Sequence, residues 1–489
     1  MTPTTDQFNL GRLNDLVAAT IPDRTFVTHR DRTWSHAEIG ERSRRFASYL
    51  HAQGLGCHTE RGELAGHEVG QDMLGIYAFN GNEWIEAFLG SFKARVAPFN
   101  VNYRYVRDEL RYLLADAGAT ALVYQAQFAP RVAEIRGELP DLRVLIQVDD
   151  GSGEPLLDGA VDYEAALAEG DPAGPPVEPS PDDLYVLYTG GTTGMPKGVL
   201  WRQHDIFMGA MGGRALGTWI VTQSYDEIRD RVAAAGEAKM LLLPPLMHGA
   251  AQWASVTGMT NGAAIVFPDN VERMDPVDVL RTIEKHKVIT VTSVGDAMAR
   301  PLVEELETGQ YDASSLFLFG NGGAPLTAAI KERLIAQLPG LIVADGVGSS
   351  ETGAQMSHMS VKDNVSTGTF SAGPDAVVVN AELTALEEPG HEELGWLGQV
   401  GWVPLGYKGD AEKTARTFPV IDGIRYAIPG DRARRLADGK DATAEELVEH
   451  AGQSIARYKL PKAVVFRTEI QRSPSGKADY RWAKEQAED

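Results

Sequence analysis

Between Leu74 and Val148 short apolar runs alternate with segments of helical period, and this alternation narrows the fold more than any other feature of the chain. Leu74-Gly-Ile-Tyr-Ala-Phe79, Val96-Ala-Pro-Phe99, Ala121-Leu-Val-Tyr124 and Val144-Leu-Ile-Gln-Val148 read as buried strands. Glu83–Lys93, Arg107–Asp116 and Pro130–Leu139 read as helices of ten or so residues between them. Strands separated by helices of that length need crossover connections, which means a parallel sheet in an α/β fold. Ahead of this unit stand an amphipathic pattern at Leu10, Leu13, Leu16 and Val17, an apolar run at Phe26-Val-Thr28, and a second helical run from Ile39 to Leu50.

The alternation resumes after a Pro-, Gly- and Asp-rich surface connection at 149–183, with strands expected near 184–188, 240–243, 263–267, 288–292, 316–319 and 341–344. Gly217–Glu237 reads as a partly helical insertion in this second unit. Beyond Ser371 the long helices stop. Gly395-Trp-Leu397, Gly401-Trp-Val-Pro-Leu-Gly-Tyr407 and Ile424-Arg-Tyr-Ala-Ile428 predict a small barrel-like module of short strands. At 489 residues the chain exceeds what one core organises. The expected architecture is therefore α/β, with two doubly wound subdomains at about 1–170 and 180–370, a small β-barrel at 371–436, and a separate C-terminal piece at 437–489.

A net charge of −22 argues against nucleic acid or an anionic membrane surface as a main partner. Cys57 is the one cysteine and has no internal disulfide partner, which suits a reducing cytoplasm. No basic region followed by an apolar core opens the chain, and no apolar run approaches a membrane span, so a cytoplasmic location is expected. Cysteine and histidine are too few and scattered for a structural metal site.

The chemistry concentrates at Tyr188-Thr-Gly-Gly-Thr-Thr-Gly-Met-Pro-Lys-Gly198, which packs four glycines, three threonines and one lysine into eleven residues after a strand. Glycines at 190, 191 and 194 let backbone N–H groups turn toward a common point, and hydroxyls of Thr189, Thr192 and Thr193 add uncharged donors. Lys197 adds a fixed positive charge, so the stretch suits a polyphosphate. It is not a Walker loop, because Pro196 precedes the lysine and Gly198 follows it. A second glycine-rich turn, Asp345-Gly-Val-Gly-Ser-Ser-Glu-Thr-Gly353, follows the strand Leu341-Ile-Val-Ala344. Turns at the C-terminal ends of parallel strands are where ligands bind in open α/β sheets, and a carboxylate there can hold the Mg²⁺ that bridges ATP phosphates.

The Tyr188–Gly198 string resembles the phosphate loop of the adenylate-forming superfamily: acyl- and aryl-CoA synthetases, luciferases and peptide-synthetase adenylation domains. Members activate a carboxylate with ATP, giving acyl-adenylate and pyrophosphate, and most pass the acyl group to a thiol. The resemblance implies that Gly190, Gly191, Gly194 and Lys197 bind nucleotide with the threonines, and that Thr193 also takes part in catalysis. Glu351 becomes the Mg²⁺-linked carboxylate and Ser350 a phosphate or substrate contact, with Asp345, Gly346, Val347 and Gly348 at the nucleotide. Val347 stands where the family usually places an aromatic residue that stacks on adenine, so adenine is expected to be held differently.

Gly320-Asn-Gly-Gly-Ala-Pro325 resembles the loop lining the adenine and acyl-carboxylate site, which assigns Gly322, Gly323 and Ala324 to it. Pro244-Pro-Leu-Met-His248 resembles the motif whose histidine stands near the acyl carboxylate and the thiol tunnel; Trp253 beyond it fits either an acyl pocket or the core. Tyr426-Ala-Ile-Pro-Gly-Asp431 resembles the motif whose aspartate accepts from both ribose hydroxyls, with Arg434 close by. Arg472-Ser-Pro-Ser-Gly-Lys477 resembles the motif of a mobile α+β C-terminal domain whose lysine stabilises charge developing at the α-phosphate.

One break interrupts the resemblance. After Gly439-Lys-Asp441 the chain passes directly to Ala444-Glu-Glu-Leu-Val-Glu-His450 and Tyr458-Lys-Leu-Pro461. The family's hinge, its lysine- and glycine-rich loop and several elements, on the order of sixty residues for a domain of usual size, are expected there. A deletion would strip strands from the small domain's sheet, so a longer natural chain is favoured over a real loss. The stretches Gly190–Gln203 and Lys93–Arg104 look like actinobacterial acyl-CoA synthetases acting on fatty acids and sterol side-chain carboxylates. The expectation is thus an ATP-, Mg²⁺- and CoA-dependent synthetase for a bulky hydrophobic acid, with a homodimer left open. A ligase loading a carrier-protein thiol and an inactive nucleotide-binding homologue are the alternatives.

Overall fold

The computed structural model describes residues 5–189, 195–215, 217–366, 370–391 and 393–434. Two mixed sheets carry the fold. The first has eight strands in the order 406–407, 197–202, 184–189, 97–100, 73–77, 119–125, 144–148 and 161–162. From Leu184–Thr189 to Val161–Asp162 these strands are parallel, while Lys197–Arg202 runs antiparallel to Leu184–Thr189. The second sheet has nine strands in the order 371–372, 353–360, 342–349, 318–322, 290–293, 238–242, 263–267, 25–29 and 32–35.

Local chemistry accounts for the helices. Ser35 and Glu38 form a reciprocal capping box at the start of His36–Ala52, and Asp275 caps Pro276–His286, whose first residue is proline. The Asn82–Lys93 helix is buried everywhere except Glu83 and touches strands of both sheets. Its apolar residues face the core, while its buried polar residues Asn82, Glu86 and Lys93 are hydrogen-bonded, so the helix lies inside rather than on a surface. Accordingly, one apolar cluster contains Leu74, Ile76 and Val123 from the first sheet together with Val27, Leu242 and Ile265 from the second. No helix among the described residues is long and apolar enough to cross a membrane.

Most of the expected strands in the two α/β units form within a few residues of where the sequence pattern puts them, but Lys197–Arg202 and Gly353–Ser360 were not expected, and sheet membership departs from chain order. Thr25–His29 and Arg32–Ser35 sit at the edge of the second sheet, parallel and antiparallel neighbours joined to Ala263–Phe267. Leu184–Thr189, expected to open the second unit, instead lies in the first sheet beside Ala97–Asn100. A hydrophobic pattern reports that a strand is buried, not which edge it pairs with. The insertion at 217–237 contains the helix Tyr225–Ala234. The small module has a three-stranded antiparallel sheet of Ala376–Val379, Gly395–Gln399 and Arg432–Ala433, plus the hairpin Val420–Ile421/Ile424–Arg425. Gly406–Tyr407, expected within that module, leaves it to extend the first sheet. The break near 439–441 lies outside the described residues.

His36 is fully buried, stacked on Phe26 with ring centroids 4.5 Å apart, and neither ring nitrogen has a hydrogen-bond partner among the described residues. Burial, with Arg24 nearby, pulls its pKa from 6.5 down to about 4. The folded state thus holds the neutral ring, and the stability present above pH 6.5 is lost as pH falls toward about 4. His36→Phe should lose less melting temperature than wild type across that window; parallel curves for the two proteins would refute the assignment.

Candidate active site

The root of the phosphate loop is held from several sides. Asn100 bonds both backbone groups of Tyr188, and the Tyr188 hydroxyl donates to Asp116 Oδ2 at 2.8 Å. Gly198 lies against the Tyr188 ring, where an added Cβ would stand 2.8 Å from a ring carbon. Thr189 and Lys197 pair across the two strands that flank the loop. Residues 190–194, with Gly190, Gly191, Thr192, Thr193 and Gly194, lie outside the described residues.

Lys197 opens the Lys197–Arg202 strand, whose other edge is covered by Gly406–Tyr407, with Tyr407 opposite Val199. That pairing brings a residue from far along the chain to Glu351: the Tyr407 hydroxyl donates to Glu351 Oε1 at 2.8 Å. Burial, reinforced by the adjacent Glu351 charge, raises the Tyr407 pKa well above its ordinary value, so the phenol stays a donor. Lys413 Nζ stands 3.9 Å from the centroid of the same ring. Lys197 Nζ lies 3.8 Å from Asp410 Oδ2, and Asp410 caps the short helix that carries Lys413. Trp201, on the same strand as Lys197, donates from Nε1 to the Ser350 carbonyl at 2.9 Å. Lys197, Ser350 and Glu351 therefore belong to one connected assembly.

The turn presenting Glu351 is built from hydroxyls. Ser349 N donates to Thr352 Oγ1, and Glu351 N donates to Ser349 Oγ at 3.2 Å. Gly348 is required by packing, since a Cβ there would overlap the Gly353 carbonyl. By contrast, a Cβ at Gly322 or Gly346 would meet a backbone carbonyl only at 3.6 or 3.7 Å. Protein packing does not demand glycine at those two positions. Val347 is half-buried opposite Met356.

Asp345 is buried, and both of its oxygens face protein groups. Oδ1 accepts from Asn321 Nδ2 at 2.9 Å, and Oδ2 lies 2.5 Å from Lys331 Nζ, close but out of line for a hydrogen bond. Asn321 in turn accepts from Gly295 N and donates to the Ala324 carbonyl. Asp345 thus braces the Gly322-Gly323-Ala324 loop from beneath; its carboxylate is committed to that task.

His248 precedes the Gly249–Thr260 helix. At Gly249 an added Cβ would stand 2.7 Å from Leu187 Cδ2, so this helix starts hard against the Leu184–Thr189 strand. Trp253 is half-buried, with Nε1 3.3 Å from the Tyr185 hydroxyl. Asp431 is exposed and Arg434 half-buried at the end of the small sheet, which Gln355 Nε2 ties to the second sheet through the Gly398 carbonyl. Lys477 lies outside the described residues.

A family model described as AMP-binding enzyme matches residues 15–397. The chain belongs to that family. It is 56% identical, over 547 aligned positions covering 100% of both proteins, to the medium-chain acyl-CoA ligase Mig of Mycobacterium avium. Those 547 positions exceed this chain's 489 residues, so the Mycobacterium protein contains residues that have no counterpart here. Identity to the 3-oxocholest-4-en-26-oate–CoA ligase of Rhodococcus rhodochrous is 33%, covering 98% of this chain and 96% of that one. The fold is shared with the anthranilate CoA ligase AuaEII solved with anthranoyl-AMP, at TM-score 0.78 and 18% identity over 98% of this chain and 97% of that one. This AMP-binding enzyme is an acid–thiol ligase of the AMP-forming class, which uses ATP and CoA.

Tyr407, Asp410, Lys413, Trp201 and Asn100 were not among the sequence-derived site residues. Gly401–Tyr407 reads as strand in the sequence, yet only Gly406–Tyr407 forms one, and nothing in it signals a partner near residue 200. In this ligase the Tyr407–Glu351 contact should register as coupling. A double-mutant cycle of Tyr407→Phe and Glu351→Gln in denaturant unfolding should give about 1.5–3 kcal/mol, the range for a hydrogen bond to a charged group. Additive losses would sink the contact.

Proposed function

We propose that the enzyme activates a bulky hydrophobic carboxylic acid, a fatty acid or a sterol side-chain carboxylate, as its acyl-adenylate and transfers the acyl group to CoA. The observation that carries this reading is the assembly joining Lys197 to Glu351 through Asp410 and Tyr407. It puts a cation and a carboxylate beside one strand, as a triphosphate with a divalent ion requires.

In the first half-reaction the acid's carboxylate oxygen attacks the α-phosphate, and pyrophosphate leaves. Thr189, Thr192, Thr193 and the loop glycines supply hydrogen bonds to the phosphates, and Lys197 neutralises charge that grows on the leaving pyrophosphate. Lys477 is assigned to the α-phosphate side. Glu351 fits Mg²⁺, which prefers oxygen ligands and takes most of its coordination from phosphate and water. Tyr407 donates to one oxygen of Glu351, whose carboxylate would hold such an ion. When bound, the ion offsets negative charge on the phosphates. Gly322, Gly346, Gly348 and Val347 line the adenine position, with Val347 offering contact in place of stacking, and Asp431 and Arg434 serve the ribose. His248 and Trp253 shape the acid's entry. In the second half-reaction the CoA thiolate attacks the acyl carbonyl, and AMP leaves.

The substrate class is supported by the medium-chain and 3-oxocholest-4-en-26-oate activities for which the relatives are named, and by half-buried Trp253, which packs against Gly249, the residue after His248. A screen of acids by pyrophosphate exchange should give medium-chain or sterol-derived acids at least about ten-fold higher kcat/KM than small aromatic acids. Preference for anthranilate or an amino acid would reject the class. Lys477→Ala should abolish exchange while ATP binding persists; unchanged exchange would remove this lysine from the mechanism.

A further inference from the structure

Two buried asparagines, only 6% and 5% exposed, fasten separate parts of the site to the first sheet. Asn100 ends the Ala97–Asn100 strand, and Asn80 lies between the Met73–Tyr77 strand and the Asn82–Lys93 helix. Asn100 Oδ1 accepts from Tyr188 N at 2.8 Å, while Nδ2 donates to the Tyr188 carbonyl at 2.9 Å and the Met247 carbonyl at 2.7 Å. Asn80 Oδ1 accepts from Leu246 N at 2.7 Å, and its Nδ2 donates to the Pro244 carbonyl at 3.1 Å.

The arrangement is chemically specific. Ala97–Asn100 pairs with Leu184–Thr189 through Phe99 and Val186, and the Asn100 side chain continues that ladder with both backbone groups of Tyr188. Its remaining donor hydrogen reaches the residue just before His248. An amide is the shortest side chain that donates twice and accepts from one carbon branch. Aspartate would keep the Tyr188 N–H bond but set a buried charge against two carbonyls. Alanine would leave buried backbone groups of Tyr188 and Met247 without partners, which is costly where water is excluded.

We infer that Asn100 is a positioning residue for the ligase reaction: it sets the separation between the phosphate loop that begins after Tyr188 and the His248 segment that receives the acid. Asn80 secures the second segment just upstream, at Pro244 and Leu246. This rests on the reading of those two segments as the phosphate and acid sites given above. The attacking carboxylate and the α-phosphate come from different segments, so their relative placement governs the chemical step more than the binding of either substrate alone. Misplacement by about 1 Å can cost on the order of 100-fold in rate.

The test compares Asn100→Ala, Asn100→Asp and a control, Gln147→Ala, in acid-dependent pyrophosphate exchange, equilibrium ATP binding and thermal unfolding. Gln147 is an equally buried amide in the same sheet, bonded to the Tyr124 hydroxyl and the Pro155 carbonyl, with no contact to either segment. Both Asn100 variants should lose about 100-fold in exchange kcat while ATP affinity stays within about three-fold. Gln147→Ala should lose melting temperature but keep exchange. If Asn100→Ala does not fold, Asn80→Ala carries the test, with a raised KM for the acid and an unchanged KM for ATP.

The inference is overturned if the Asn100 variants lose exchange no more than Gln147→Ala at matched stability. It is equally overturned if ATP affinity falls in step with kcat. A wild-type enzyme without exchange on any acid would instead reject the underlying reading, and the clamp with it.

Discussion

The strand Lys197–Arg202 is hydrogen-bonded on both edges, and the site depends on that double pairing. On one side it lies antiparallel to Leu184–Thr189, so that Lys197 stands opposite Thr189. On the other it accepts Gly406–Tyr407. Val199, Leu200 and Trp201 are fully buried, and a buried edge with unpaired backbone groups would be costly. Covering the edge satisfies those groups. It also brings Tyr407 beside Glu351 across a separation of 56 residues in the chain.

Electrostatics inside the site differ from those of the acidic molecule around it. Lys197 is neighboured by Asp410 at 3.8 Å, with both side chains about a third exposed. An ion pair at that distance and exposure is weak, so a polyphosphate can take the lysine at small cost. Lys331 and Asp345 are different. Their side chains are almost completely buried, and removing one partner would strand a charge. The first pair is partly exposed and readily exchanged. The second is fixed and supports the strand ends from behind, so two superficially similar contacts do opposite work.

Connections across the two sheets hold residues from distant stretches of the chain next to one another. Asn100 and Asn80 reach from the first sheet to the His248 segment, Trp201 reaches to Ser350, and the Asn82–Lys93 helix packs between strands of both. None of these contacts touches a substrate in the proposed mechanism, yet each fixes a segment that does. Rigid support of this kind lets a glycine-rich loop be permissive locally without losing its place.

Much of the outline follows from the order of residues. The strand–helix alternation from Leu74 to Val148, the helices near the start and the glycine-rich turns at 188–198, 320–325 and 345–353 are local signals, because side-chain period and turn chemistry act over a few residues. These features state which segments are strands and which side chains could meet a phosphate. They do not state which strands are neighbours. That Thr25–His29 joins the second sheet, that Leu184–Thr189 and Lys197–Arg202 join the first, that Tyr407 reaches Glu351, and that Asp345 is spent on Lys331 and Asn321 were decided only when the chain packed. Hydrogen bonds between distant strands are chosen by which edges remain to be covered once the shared core has formed, and no short-range pattern encodes that choice.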